Sequence, residues 1–207
     1  KRSLWVEIME KPADTQFHIH GLLSRRWSPR AFADRPVERE KIQSVLEAAR
    51  WASSCFNEQP WVFIVATTDY PAEHQKLLSC LMEGNQIWAK RAPLLLLTVA
   101  KIYFEHTGQT NRHAYHDVGL AVGNLVVQAT AMDLAVHQMA GILPDKIREY
   151  YAVPTGYEAV TGIAMGYQGD STILPDPLHE KELAPRSRKA LREFVFSGSW
   201  GHSPGFL

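Results

Sequence analysis

Arginine side chains are concentrated in one short segment near the N-terminus. Arg25, Arg26 and Arg30 lie within six positions, together with the hydroxyl group of Ser28. Guanidinium groups bind phosphate through charge-assisted, bidentate hydrogen bonds, so this segment is a candidate phosphate-binding loop. A solvated basic turn is the alternative, and for this segment alone it is the simpler interpretation.

A second basic segment, Pro185–Lys189, repeats this chemistry far along the chain with Arg186 and Arg188. Two such clusters in a protein of zero net charge repel each other unless they lie apart or share an anion.

A third segment, which precedes Trp61, combines hydroxyl and amide side chains. Its polar members are Ser53, Ser54, Asn57 and Gln59. These groups suit the edge of a planar heterocycle. A capped turn explains the serines equally well, but it explains the two amides less well.

The sequence contains no G-x-S-x-G, P-loop, G-x-G-x-x-G or H-E-x-x-H motif, so hydrolase and nucleotide-fold signatures are missing. His113 and His116 would share a helical face beside Asp117, with His106 nearby, at a spacing that metal sites use. Exposed histidines at a helix end explain this pattern more simply, and we expect no metal.

Composition limits the class of protein and its partners. The chain has 207 residues, of which 45% are hydrophobic, and 22 basic residues balance 22 acidic ones, so we expect one domain over 1–207 that binds neither nucleic acid nor membrane. Only two cysteines occur, Cys55 and Cys80, and Lys1–Gln16 lacks the apolar core of a signal peptide. These features predict a cytoplasmic location.

The elements that must position these residues can be predicted from the apolar pattern. Polar residues interrupt the stretch Val118–Val136, which predicts a buried helix rather than a membrane span. Gly119 and Gly123 would let another helix approach it closely, either within the subunit or across a dimer.

The predicted order is helix, helix, strand, helix, strand, long helix, short helix, strand and a C-terminal extension, and the apolar runs locate one of the shorter helices and the three strands. The helix begins after Pro36 and carries its apolar residues at i, i+3, i+4 and i+7 from Ile42. The predicted strands are Trp61–Ala66, Leu94–Ala100 and Ala159–Met165. Because this order lacks a regular βαβ alternation, we predict an α+β fold.

The proline-containing segment Gly169–Leu207 is too extended to form a core alone. Its apolar side chains, among them Phe194, Val195, Phe196 and Trp200, nevertheless require burial. We expect this segment to lie across the main body or across a partner subunit.

Taken in order, these motifs resemble the nitroreductase family of FMN-dependent oxidoreductases from about Ile19 onward. The matching segments are Arg26–Phe32, Ser53–Trp61, Gly84–Ala89, a His-x-Met-x-Gly-x-x-x-x-Lys pattern at His137–Lys146, and the basic segment after Pro185. The resemblance implies a central mixed or antiparallel sheet flanked by helices, with a C-terminal extension that reaches the partner subunit.

The resemblance also implies a homodimer with FMN at its interface and assigns the cofactor-binding residues. Arg26, Trp27, Ser28 and Arg30 would form the loop that binds the phosphate and ribityl chain, together with Arg186 and Arg188. Ser53, Ser54, Asn57 and Gln59 would come from the second subunit. Asn85 would contact the pyrimidine edge, and the backbone of Met139, Ala140, Gly141 and Ile142 would lie beside flavin N5.

In such an enzyme NAD(P)H reduces the flavin, and a flat acceptor such as a nitroaromatic, a quinone or an activated alkene then reoxidises it by a ping-pong mechanism. The alternatives are reductive dehalogenation, flavin fragmentation or non-catalytic flavin binding. Two residues depart from the family pattern: Trp27 replaces a basic residue, and Ala140 replaces a glycine.

Overall fold

A four-stranded antiparallel sheet forms the centre of the structure, a computed structural model that describes residues 9–207. Its strands are β1 (Trp61–Thr67), β2 (Leu94–Lys101), β3 (Ala135–Met139) and β4 (Tyr157–Gly166), in the order β1-β2-β4-β3. All three predicted strands are present, and the α+β class is confirmed. The signal-peptide expectation concerns in part residues 1–8, which lie outside the described residues.

Seven α-helices surround this sheet in the described part of the chain. They are α1 (Gly21–Arg25), α2 (Arg39–Arg50), α3 (Pro71–Leu78), α4 (Glu83–Ala89), α5 (Ala114–Ala131), α6 (Pro144–Tyr151) and α7 (Asp176–Leu183). None of these helices between residues 9 and 207 combines the length and apolar character that crossing a bilayer requires.

Strand β2 divides the core into two layers because its side chains alternate between the faces of the sheet. Leu94 and Leu96 pack with the cluster that includes buried residues of α2 and α5. Leu95 and Leu97 pack with the cluster formed by α3, α4 and α6. All four leucines are fully buried, so the sheet has helices on both faces.

The predicted helix Val118–Val136 is too long at its C-terminal end. Helix α5 ends at Ala131, and Asp133 adopts the left-handed conformation with φ of 60°. The N–H of Leu134 donates to the carbonyl of Ala129 at 2.9 Å, which closes the helix. The next residues pair with β4 as strand β3, which the sequence analysis did not predict.

Several apolar side chains remain exposed on this chain. Trp200 is 93% exposed and Phe206 is 79% exposed, so the C-terminal segment does not bury these rings on its own body. Gly119 and Gly123 lie on the exposed side of α5. An added Cβ at either glycine would meet no atom of the described chain within 4 Å, so no helix of the same subunit packs there.

Candidate cofactor site

The two basic segments meet at one cavity of about 320 Å³. Six cationic side chains line it: Lys11, Arg26, Arg30, Lys181, Arg186 and Arg188. Ser28 and Trp27 also line the cavity. The structure therefore brings together every residue that the sequence analysis assigned to phosphate binding.

The cations of this cavity repel one another. Burial lowers the pKa of Arg26, and the nearby Arg186 and Arg188 lower it further. Burial and Arg188 likewise lower the pKa of Arg186. A lowered pKa means that the charged form is disfavoured. An anion bound among these groups would relieve this repulsion, so the donor set fits a phosphate group.

The phosphate loop, defined as Arg26–Phe32, is fixed at its C-terminal end by the sheet. Phe32 is 1% exposed, forms an antiparallel bridge with Gln168 and stacks on Trp88 with ring centroids 6.3 Å apart. The N–H of Gly169 donates to the carbonyl of Ala31 at 2.9 Å. Contacts within the chain therefore fix the backbone of the loop.

Two ionisable side chains, the half-buried His137 and the buried Glu182, hold the middle of the phosphate loop. Nδ1 of His137 lies 3.0 Å from the carbonyl oxygen of Pro29. Burial, followed by the charge of Arg30, lowers the pKa of His137 to about 4, so the ring is neutral at pH 7 and donates to that carbonyl. Oε1 of Glu182 accepts the N–H groups of Arg30 at 2.7 Å and Ala31 at 3.1 Å.

Lys11 supplies a cation beside the family departure at Trp27. Its ammonium group lies 4.8 Å from the centroid of the Trp27 ring, within cation–π range. It also donates to the carbonyls of Glu182 and Ala184 at 2.7 and 2.5 Å. Lys11 thus places a positive charge close to Trp27, the position at which the family pattern has a basic residue.

The amide segment, defined as Ser53–Trp61, lies apart from this cationic cavity. None of Ser53, Ser54, Asn57 and Gln59 lines it, and Asn57 and Gln59 are exposed.

The backbone of the amide segment is strained and locally held. Phe56, Asn57 and Gln59 have φ values of 52°, 57° and 50°, a conformation that non-glycine residues rarely adopt. The N–H of Gln59 donates to Oγ of Ser54 at 3.0 Å. The buried carboxylate of Asp117 accepts the N–H of Cys55 at 3.0 Å.

Asn85 and the segment after β3 lie in contact. Nδ2 of Asn85 donates to the carbonyl of Gly141 at 3.1 Å, and the N–H of Met82 donates to the same oxygen at 2.9 Å. A Cβ at position 141 would lie 2.6 Å from Nδ2 of Asn85. A side chain at position 141 would therefore displace the Asn85 amide from this contact.

The four residues predicted to lie beside flavin N5 differ in what they can offer. The side chains of Met139 and Ile142 are buried in the core, and the N–H of Ile142 donates to the carbonyl of Ala140 at 2.9 Å. Ala140 is exposed. Within residues 9–207 the N–H groups of Ala140 and Gly141 both lack an acceptor, so both are donors that a ligand can use.

Sequence reasoning missed the buried residues that support the site. Glu182 follows Glu180 and Lys181 in an ordinary charged helix, so nothing in the pattern marks it. Asp117 was grouped with the histidines as a candidate metal ligand, but it holds the amide segment. Across the described residues no three His, Cys, Asp or Glu side chains are grouped as a metal site requires.

The fold and the site together define an α+β protein with a cationic cavity and a glycine-containing turn after β3. The family model described as "Nitroreductase family" matches residues 23–167. The chain therefore belongs to the nitroreductase family, as its motifs predicted.

Individual relatives agree with this assignment. A crystal structure described as an oxidoreductase containing FMN is 34% identical, with a TM-score of 0.86 and coverage of 91% of this chain and 96% of that chain. The major NAD(P)H-flavin oxidoreductase of Aliivibrio fischeri is 25% identical over 86% of this chain and 96% of that protein. Iodotyrosine deiodinase 1 of Rattus norvegicus is 24% identical over 76% of this chain and 65% of that protein.

Proposed function

We propose that this protein is an FMN-dependent oxidoreductase that carries electrons from NAD(P)H to a flat electrophilic acceptor by a ping-pong mechanism. Membership of the nitroreductase family and the FMN and NAD(P)H named for its relatives support the cofactor and the donor. The observation that carries the proposal is the convergence of both basic segments on one cavity. Nitroaromatics, quinones and activated alkenes are the proposed acceptors.

The cationic cavity would bind the phosphate of FMN. Arg26, Arg30, Arg186 and Arg188 offer guanidinium groups, and Ser28 offers a hydroxyl group. Charge-assisted bonds of this kind contribute about 1.5–3 kcal/mol each, and a phosphate offers enough oxygens to bond several of them at once. Trp27 would contribute an apolar wall.

The turn after β3 would contact the flavin ring. When bound, FMN would supply the redox chemistry of hydride uptake and electron transfer. The protein contributes the N–H of Gly141 as a donor to the ring and the amide of Asn85 at the pyrimidine edge. Asn85 also holds the Gly141 carbonyl, which fixes the orientation of that turn.

A homodimer would complete the site. The exposed side of α5 presents Gly119, Leu120, Gly123 and Val127 at helical spacing, and small residues allow two helices to approach closely. Exposed aromatic side chains of the C-terminal segment, such as Trp200, would be covered in the same assembly. The amide segment of one subunit would then reach the flavin bound by the other.

We also propose that the protein works in the cytoplasm. Cys55 and Cys80 are both free thiols, which suits a reducing compartment.

The visible spectrum of the purified protein, recorded before and after anaerobic addition of NADPH and then NADH, tests the activity. We expect flavin absorption bands that bleach with one or both nucleotides and return when an acceptor is added. Menadione and nitrofurazone are suitable acceptors. A protein that shows no flavin bands even after incubation with FMN would contradict the proposal.

Reductive dehalogenation is the second candidate function, and the similarity to iodotyrosine deiodinase 1 favours it. It requires an electron supply to the flavin but not rapid turnover with free NAD(P)H. Bands that bleach with dithionite but persist with both nucleotides, together with release of iodide from iodotyrosine, would select this function over the first.

A further inference from the structure

Glu182 is a buried carboxylate in the last turn of α7. Its side chain is 1% exposed, and Oε1 accepts two backbone N–H groups of the phosphate loop, from Arg30 and Ala31. Oε2 lies 3.6 Å from Nη1 of Arg30 and has no hydrogen-bond partner among the described residues. Burying a carboxylate is costly unless it is paired and hydrogen-bonded, so this group needs a compensating role.

The position of Glu182 connects the two halves of the cationic cavity. Its side chain binds the phosphate loop, while its backbone carbonyl accepts from Lys11 at 2.7 Å. Three residues further on the chain reaches Pro185 and then Arg186, whose Nη1 donates to the carbonyl of Lys11 at 2.5 Å. One residue therefore links parts of the site that are far apart in sequence.

Glu182 also provides negative charge next to a group of cations. Burial lowers the pKa of Lys11, and the charges of Arg186 and Arg30 lower it further. The charge of Glu182 opposes them and raises this pKa, although the net shift is downward. It does not line the cavity, so its carboxylate does not occupy the space that a phosphate would take. Its role is to hold the surrounding cations and N–H groups in place.

We propose that Glu182 is a positioning residue for the phosphate group of the cofactor, acting through the backbone and guanidinium group of Arg30. This inference rests on the proposed function, because it assumes that the cavity takes the phosphate of FMN. A preorganised site loses less free energy in ordering its groups when the ligand binds. The carboxylate should therefore matter for the phosphate and not for the flavin ring.

Comparison of FMN with riboflavin, which lacks the phosphate, tests this inference directly. The dissociation constants of both flavins are measured by fluorescence quenching at one ionic strength, on the wild type, Glu182→Gln, Glu182→Asp and Glu182→Ala. Glu180→Ala is the matched control, because Glu180 is an exposed glutamate on the same helix. Circular dichroism and thermal unfolding check that each variant is folded.

We expect Glu182→Ala to weaken FMN binding by about tenfold or more, which corresponds to one lost charge-assisted contact, and to leave riboflavin binding within about twofold. Glu182→Gln keeps an acceptor at Oε1 but loses the charge, so it should restore only part of the FMN affinity. Glu182→Asp is one methylene shorter and should lose affinity as Ala does; it keeps the test valid if Glu182→Ala does not fold.

Equal weakening of FMN and riboflavin binding, or unchanged binding of both, in Glu182→Ala or Glu182→Asp would overturn the positioning role while leaving the proposed function intact. Failure of the wild type to bind either flavin would instead overturn the proposed function together with this inference.

Discussion

Individual arginines at the N-terminus have different partners although they lie close together in sequence. Nη1 of Arg25 pairs with Asp133 at 3.1 Å and its Nη2 donates to the Thr130 carbonyl at 2.6 Å. It lines an adjoining cavity of about 520 Å³, which shares Lys11, Arg26 and Trp27 with the cationic cavity but does not include Arg30. Arg30 instead faces the cationic cavity and Glu182. Sequence spacing groups these arginines, but only the fold distinguishes Arg25, in a surface ion pair, from Arg30, which lines the cationic cavity.

This difference predicts that Arg30→Ala weakens FMN binding by about ten- to a hundredfold, since a charge-assisted bond contributes about 1.5–3 kcal/mol. Arg25→Ala removes an exposed ion pair, which contributes little, and should change the affinity by less than about twofold. Flavin titration of both variants provides the measurement. Equal losses would show that Arg30 has no special contact with the phosphate.

The neutral state of His137 makes stability depend on pH. Its pKa in the folded protein is about 4, below the ordinary value of 6.5, so the unfolded chain binds a proton more readily. The contribution of the neutral ring is therefore present above about pH 6.5 and is lost as the pH falls towards 4, by about 3 kcal/mol in total.

His137→Asn retains a donor for the Pro29 carbonyl but cannot titrate in this range. We expect urea unfolding at pH 7, 5.5 and 4.5 to give a shallower loss of stability in this variant than in the wild type. Parallel loss of stability in both proteins would show that other groups cause the pH dependence.

At the scale of elements, the sequence predicts the helices and strands whose hydrophobic residues recur with a regular period. The helix after Pro36 is observed as α2, and the predicted strands match β1, β2 and β4 within two residues at each end. The apolar pattern places only the first two residues of β3 in the preceding helix, because apolar residues continue through Leu134 and Val136. Only the left-handed turn at Asp133 separates the two elements, and such a turn depends on tertiary packing.

The site elements were predicted where several motifs occurred together, and missed where one charged residue acts from a distant helix. The resemblance selected the phosphate loop and the basic segment after Pro185, which do meet. It did not identify α7, because Glu182 and its exposed neighbour Glu180 look the same in the sequence. Burial distinguishes them, and burial depends on how α7 packs beside the phosphate loop.

Gly169, which follows β4, packs against the phosphate loop. We therefore expect Gly169→Ala to disturb this contact. The added Cβ would lie 2.6 Å from the carbonyl carbon and oxygen of Phe32, and backbone atoms cannot move aside as a flexible side chain does. We expect a loss of about 1–3 kcal/mol in the free energy of unfolding and weaker FMN binding. Denaturant unfolding and flavin titration measure the two effects.

Gly21→Ala is the matched control, because an added Cβ there meets no atom of the described chain within 4 Å. It should leave both quantities nearly unchanged. Full stability in Gly169→Ala would mean that the phosphate loop moves freely relative to the sheet.

On the scale of the whole molecule, the exposed apolar surface indicates that the chain functions as part of an assembly. Leu120 and Val127 are each 37% exposed, and Trp200 is almost fully exposed. Monomeric proteins rarely leave large apolar patches in water. The single domain over 1–207 stays a prediction. The homodimer also stays a prediction, and a measurement of the molecular mass tests it directly.

Leu120→Glu should convert the dimer to a monomer, because the two-fold symmetry of a homodimer would place two carboxylates in the same interface. The FMN affinity of the monomer should be lower than that of the dimer, since the amide segment of the partner would no longer reach the flavin. Size-exclusion chromatography with light scattering measures the mass. Tyr70→Glu, at an exposed aromatic residue before α3, should keep the mass of the dimer.

The separation of the amide segment from the cationic cavity of the same chain has a genetic consequence. If each site takes its phosphate loop from one chain and its amide segment from the other, two defective chains can restore one another. Arg30→Ala damages the first half, and Asn57→Gly removes the amide at a position whose φ of 57° suits glycine. Mixed dimers of these two variants would contain one doubly altered site and one intact site. Random pairing makes half of the dimers mixed, so co-expression in equal amounts should restore about a quarter of the wild-type sites, more activity than either impaired parent shows alone.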